Sequence, residues 1–208
     1  MTAAARRRTA VATDPEPARE QTAAGAEDPV RWVTSRPLEI AIGVALFAAA
    51  VLLPLLKQTG VHTWDTIWAE DGPIYVDDVT KDGGFAVLFR GYAGYLQLSS
   101  RVLALPTAIV PARSLALYLV GSAALVSALL ALFVYYAAGS WVASRPVRIA
   151  LASLVVLQPA LGYENIGSIT NTIWTFAAVL PWALVSTAER KTDVALRGGV
   201  AFVAVGST

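Results

Sequence analysis

The sequence predicts an all-α fold: a polytopic transmembrane helix bundle whose first two spans are separated by a long extracytoplasmic loop containing interfacial helices. Three observations predict it. Charged residues make up only 15% of the 208, against about 25% in soluble domains. The depletion is concentrated in runs: residues 40–56 are 17 without a charge, and 114–144 are 31. The short connections at 139–148 and 189–197 are basic while the one at 164–170 has no lysine or arginine, which is the pattern of the positive-inside rule for short loops. A helix crossing about 30 Å of hydrocarbon needs roughly 20 apolar residues, so the runs suit spans better than the helices of a soluble core.

Taken in order, residues 1–37 hold Arg6, Arg7, Arg8, Arg19, Arg31 and Arg36 with Pro15 and Pro17. No apolar stretch of signal-peptide type follows the early arginines. Low hydrophobicity with mixed charge predicts a disordered cytoplasmic tail, followed by a transmembrane domain over 38–208. The first span is expected at 38–56, and 57–113 then lie outside. The second, 114–138, returns to a connection at 139–148 carrying Arg145 and Arg148. The third, 149–163, exits to a turn at 164–170 that has Glu164 and no positive charge. The fourth, 171–188, returns to Arg190, Lys191 and Arg197, and a fifth begins at 198 and is cut off at Thr208. Eleven of the 16 positive charges fall inside in this arrangement. The expectation is a multi-pass protein of the plasma membrane with a cytoplasmic N-terminus, truncated after its N-terminal part.

The loop 57–113 holds six of the fifteen acidic residues. Four of them lie in TIWAEDGPIYVDD, residues 66–78, beside Trp68 and Tyr75. After Gly83 and Gly84 come Phe85, Val87, Leu88, Phe89, Tyr92, Tyr95 and Leu96, amphipathic material of the kind that settles at headgroup level. The apolar run 102–112 is broken by Pro106 and Pro111 and is too short to span, so it reads as an interfacial or re-entrant helix. The loop is expected to lie on the membrane.

Composition excludes several chemistries. There is no cysteine, hence no disulfide, thiol nucleophile or cysteine metal site. His62 is the only histidine, which disfavours a His-rich metal site or a Ser-His-Asp triad. A net charge of +1 gives no field for nucleic acid. Carboxylates beside a hydrocarbon boundary are costly unless paired or wet, so Glu70 and Asp71 stand out as functional candidates.

WAEDG, at 68–72, placed after the first span, resembles the acidic pair that GT-C-type membrane glycosyltransferases carry in their first long extracytoplasmic loop. GYLQLSSR, at 94–101, and YENIGSITNTIW, at 163–174, are similar to segments of bacterial glucosyltransferase-like integral membrane proteins of that superfamily. The resemblance covers about 38–190. It implies transfer of a sugar from a polyprenyl-phosphate donor, with membrane lipids as the other partner.

The chemistry of such a transfer needs a base for the acceptor hydroxyl as the anomeric carbon becomes cation-like. Asp71 is the expected base, because Gly72-Pro73 leaves it uncrowded, and Glu70 the supporting carboxylate, with the roles exchangeable. The pair is expected to face a cavity bounded by the 164–171 turn and Arg101. A second carboxylate could also help to hold a divalent cation, and no protein metal site is otherwise predicted. Arg101 and Arg90 are the candidates for the donor phosphate, and Glu164 and Asn171 for other substrate contacts.

Plainer roles compete. The acidic pair could cap a short helix; Asp77, Asp78 and Asp82 read as caps and solvated charges. Arg101 could snorkel to headgroups, and Asn171 would make an N-cap. Trp174 and Trp182 read as packing or interface anchors. Competing functions are a transporter-like bundle, disfavoured by spans without internal charge, and a non-catalytic or truncated integral membrane protein.

Overall fold

The computed structural model describes residues 36–56, 60–158, 167–187 and 191–207. The predicted tail, except Arg36 and Pro37, therefore lies outside the described residues, as does Glu164. Seven α-helices order the rest: α1 Arg36–Leu56, α2 Asp77–Asp82, α3 Leu98–Ala104, α4 Leu115–Ala137, α5 Arg145–Leu157, α6 Thr172–Val185 and α7 Lys191–Ser207. Short 3₁₀ turns and one π turn, Gly72–Val76, fill the segment between α1 and α4. Among the described residues there is no strand, only an isolated bridge between Tyr92 and Tyr95. The fold is all-helical.

Two stretches are long and apolar enough to cross a membrane: Arg36–Leu56 and Ala112–Ser140, the second being α4 with its flanking turns. α6 is apolar but only 14 residues long. Two helix starts differ from expectation. α5 begins at Arg145 and not at 149, because Pro146 occupies a first-turn position where a missing N–H costs nothing. α7 begins at Lys191 and not at 198, so Lys191 and Arg197, read as part of a connection, lie in its first two turns, while Arg190 falls outside the described residues. The 102–112 run does not form one helix. α3 covers 98–104, and 3₁₀ turns at Leu105–Ala108 and Ala112–Ser114 follow, consistent with the two prolines.

α1 and α4 run antiparallel along each other, with Gly43 against Tyr136 at one end and Pro54 near Val120, across Gly167, at the other. α4 presents Ala124, Ala128 and Ala131, all buried, at helical spacing. Small side chains let backbones approach closely where lipid provides no hydrophobic drive between helices. Gly43 completes the fit: a Cβ there would stand 2.5 Å from the Tyr136 hydroxyl. α1 buries only Gly43, Ala50 and Pro54 and exposes Leu38, Ile40, Val44, Leu52, Leu53 and Leu56. An apolar face of that extent marks a membrane or protein contact.

A second cluster lies under the long loop. Tyr75, Val79, Val87 and Ala104 pack on Leu119 and Ala123 of α4 and on Ile169. The segment 60–114 is thereby seated on the α4 N-terminal end. Its α3 is capped from far away in sequence: Ser207, at the end of α7, accepts the Ser99 backbone N–H at 2.9 Å. That bond satisfies one of the donors a helix start leaves open.

Candidate functional site

Glu70 and Asp71 close a 3₁₀ turn, Ala69–Asp71, entered through Ala69 at φ 26°. A positive φ on a residue with a Cβ is strained and persists only where surroundings over-determine it. Here the surroundings are the bonds of Asp71. Its Oδ1 accepts from Ser168 Oγ at 3.0 Å, Thr170 N at 3.0 Å and Thr170 Oγ1 at 2.6 Å. Its Oδ2 accepts from Ile169 N at 3.0 Å. The side chain is fully buried.

No arginine or lysine among the described residues pairs with Asp71. Ionised carboxylates cost several kcal/mol to bury, and each charge-assisted bond returns roughly 1.5–3 kcal/mol, so four donors are of the right order to offset the burial. Burial pushes the Asp71 carboxyl above its ordinary value, against the donors of Thr170, Ile169 and Ser168 that favour the ionised form. A carboxylate offers about four acceptor sites. Three donors crowd Oδ1 and one meets Oδ2, so the fully buried Asp71 is committed to the 168–170 turn.

Glu70, its neighbour, is partly exposed and on the surface side of the turn. Asp71 and the 168–170 turn are brought together as the sequence reading expected, but as a clasp and not as the walls of a cavity. Gly167 makes the turn possible: its φ is +90°, and a Cβ there would stand 2.7 Å from Val120.

Arg101 is elsewhere. It is 1% exposed, so it does not snorkel, and it forms a buried ion pair with Asp78. Its Nε donates to the Arg90 carbonyl at 3.1 Å, and its guanidinium lies 4.9 Å from the Tyr75 ring centroid. Arg90 pairs with Asp78 at 2.6 Å and with Asp82. Both arginines expected to hold phosphate are thus engaged by carboxylates. Asp78, read as a solvated charge, is the hub of the cluster. Burial pulls its carboxyl up, but Arg101 and Arg90 together hold it below the usual value.

Tyr75 links the two halves of the site. It lies one turn after Asp71, is fully buried, donates its hydroxyl to Gln97 Oε1 and meets the Tyr92 ring edge-on at 6.1 Å. Burial drives its hydroxyl well above the ordinary tyrosine range despite Arg101, so it remains a neutral donor. Ser100 ties the same region to the turn, donating to the Ile169 carbonyl at 2.8 Å. Asn171 occupies the N-cap position of α6, but its side chain makes no capping bond. Among the described residues no three acidic or histidine side chains converge to hold a metal.

The residues that sequence reasoning missed are Ser168, Thr170, Tyr75, Gln97 and Asp78. A hydroxyl every second residue in SITNT, 168–172, was the available signal, since such a run supplies backbone and side-chain donors together. No protein-family model, curated protein or solved structure matches this chain.

Proposed function

We propose that the chain is a multi-pass membrane glycosyltransferase of the GT-C type, moving a sugar from a polyprenyl-phosphate donor to an extracytoplasmic acceptor. The observation that supports this best is the division of labour in the acidic pair. Asp71 is spent on the 168–170 turn, and that anchorage fixes Glu70, the next residue, at the surface of a rigid and strained turn. Glu70 is then the base and Asp71 the positioning residue.

In the proposed step the Glu70 carboxylate takes the acceptor hydroxyl proton. The acceptor oxygen bonds the anomeric carbon, and the bond from that carbon to the phosphate oxygen breaks with its electron pair going to the phosphate. Arg90 is the arginine accessible to that phosphate, exchanging Asp82 for it. Arg101 acts through Asp78 and the Arg90 carbonyl, holding Arg90 in place.

The orientation follows from charge: Arg36, Arg145, Arg148, Lys191 and Arg197 lie on the cytoplasmic side, the loop 57–113 outside. α5 and α6 cover about 20 Å each, short of the roughly 30 Å of hydrocarbon, so topology needs its own test. A reporter fused near Asp82 reads as extracytoplasmic and one near Arg145 as cytoplasmic; a cytoplasmic signal at Asp82 removes the case for a lipid-donor site.

The catalytic test is transfer of labelled sugar from a polyprenyl-phosphate donor at equal protein in the membrane. Glu70→Gln loses about 10²–10⁴ in rate with unchanged stability, and Asp77→Asn is mild. A second reading, a non-catalytic integral membrane protein, draws support from the four donors on Asp71, which would make the pair a loop clasp and nothing more. Near-normal transfer by both Glu70→Gln and Asp71→Asn decides for it.

A further inference from the structure

A cavity lies away from the acidic pair. It is a groove of about 820 Å³ between α4, α6 and α7, on the C-terminal half of α4, and its size is that of a ligand cavity, about 300–1,000 Å³. Val126, Leu129, Phe133, Phe176, Leu196 and Val203 make it apolar over most of its length. Its polar groups gather at one end, where α4 and α6 finish and α7 starts: Ser140, Ser186, Asp193 and Arg197.

Two features of that end are unexplained by the fold. Ser186 is 5% exposed, and its hydroxyl has no hydrogen-bond partner; buried hydroxyls are normally satisfied. Asp193 and Arg197 are four residues apart on α7, the spacing of a helical ion pair, yet they do not pair. Arg197 instead donates to the α6 carbonyls of Ala183, at 2.9 Å, and Leu184, at 3.3 Å. An acid and a cation are thus presented side by side at the mouth of an apolar groove.

We propose that the groove holds an acyl chain of a zwitterionic aminophospholipid, a phosphatidylethanolamine, with its phosphate at Ser186 and Arg197 and its ammonium at Asp193. From Val126 to Ser140 the groove follows α4 for about 21 Å, a little more than one leaflet of a hydrocarbon core about 30 Å thick. The headgroup end coincides with the helix ends, as it must for a lipid standing in one leaflet. An anionic phospholipid would satisfy Arg197 but set its charge against Asp193. A phosphatidylcholine brings an ammonium without N–H donors for that carboxylate. The inference rests on the membrane-spanning reading alone and is independent of sugar transfer.

The test is native mass spectrometry of the full chain, purified in detergent and titrated with phosphatidylethanolamine, phosphatidylglycerol and phosphatidylcholine of identical chains. Wild type retains one phosphatidylethanolamine in preference to the others. Gly199→Phe fills the groove from a position where a Cβ meets nothing within 4 Å, and its retention of that lipid falls about tenfold or more. Asp193→Asn keeps chain binding but loses up to about fivefold of the preference over phosphatidylglycerol, the worth of one exposed charge pair. Equal retention of all three lipids by wild type, or wild-type retention by Gly199→Phe, overturns the proposal. Release of the chain from membranes by alkaline carbonate overturns the membrane reading itself and is scored separately.

Discussion

At each end of the α1–α4 pair a carboxylate stands between two arginines, one of which lies over a tyrosine ring. At one end Glu39 accepts from Tyr135 Oη at 2.6 Å, Arg145 Nε at 2.8 Å and Arg148 at 3.1 Å, with Arg148 4.7 Å from the Tyr135 ring centroid. At the other, Asp78 meets Arg90 and Arg101, with Arg101 over Tyr75. The parts match but their origins do not. The Glu39 cluster draws on α1, α4 and α5 and so ties three helices together. The Asp78 cluster is built within residues 75–101 and stiffens the loop without attaching it.

Of the loop's carboxylates, the one that attaches it to the 168–170 turn is Asp71, which uses no cation. The Glu39 and Asp78 side chains remain 18% and 19% exposed, so each ion pair there keeps some contact with solvent. Asp71 keeps none, and a second buried charge beside it would carry its own desolvation cost. Neutral donors hold Asp71, whose carboxylate is wholly buried, and arginines hold Glu39 and Asp78, whose carboxylates stay partly exposed. That contrast can be broken or sharpened by substitution.

The largest effect is expected at Asp71. Asp71→Ala leaves the Ile169 and Thr170 N–H groups and two hydroxyls buried without partners, at about 1–3 kcal/mol for each such group. Partial relaxation brings the expected loss to roughly 3–5 kcal/mol, read from denaturant unfolding in detergent. The seam between the loop and the start of α6 should open first, seen as faster hydrogen exchange at 168–170. Stability within about 1 kcal/mol of wild type would mean that Asp71 is not the clasp.

Next in size are the two stacked arginines. Arg101→Met removes a cation that is 1% exposed and leaves Asp78 with Arg90 alone, at a cost of about 3 kcal/mol. Arg148→Met leaves Glu39 with both Arg145 and Tyr135 and should cost about half as much, since Arg148 is the more exposed of the two and its Nε already lacks a partner. Equal losses in the two variants would show that the two clusters are energetically alike, whatever their connectivity.

The sequence made a good part of this legible. Charge-free runs located α1 and α4 to within two residues at each end, because length and apolarity decide a span locally. The pairing of the 66–78 stretch with the 168–170 turn was also within reach, since the predicted topology returns both to one face. The choice between Glu70 and Asp71 was not. It depends on which carboxylate meets the donors of Ser168, Ile169 and Thr170, nearly a hundred residues away, and neighbouring acids look alike in sequence. Asp78 was illegible for the same reason: one turn of α2 places it against Arg101, 23 residues on. The starts of α5 and α7 were misplaced because charges were read as connections. Arg145, Arg148 and Arg197 spend their guanidiniums on Glu39 and on the α6 carbonyls, so helical turns carry them at little cost.

Titration separates the two acids by sign. Asp71 has its folded value raised, so its contribution to stability is fully present below the unfolded value of about 3.9. That contribution is lost as pH rises through the raised value. Asp78 has its folded value lowered: its contribution is present above about 3.9 and is lost as pH falls through the lowered value. Unfolding midpoints measured from pH 3 to 7 should therefore lose their upper-range slope in Asp71→Asn and their acid-limb slope in Asp78→Asn. The same limb lost in both variants would refute the contrast between neutral-donor and arginine environments.

The smallest effect is expected at Arg90, and it tests whether the Asp78 cluster has an energetic centre. Arg90 bridges Asp78 and Asp82 from the surface, with its side chain 45% exposed and Asp82 48%. Exposed pairs are screened by salt and contribute little. Arg90→Gln keeps the backbone carbonyl that Arg101 uses, and Arg101 continues to neutralise Asp78. The unfolding midpoint should stay within measurement error of wild type, and raising the salt concentration in wild type should reproduce what little change appears. In the transfer assay the same variant should weaken donor use, as a rise in KM for the polyprenyl-phosphate sugar with kcat nearly unchanged. A loss of stability comparable to that of Arg101→Met would place Arg90 in the structural core of the loop. It could not then exchange Asp82 for a phosphate.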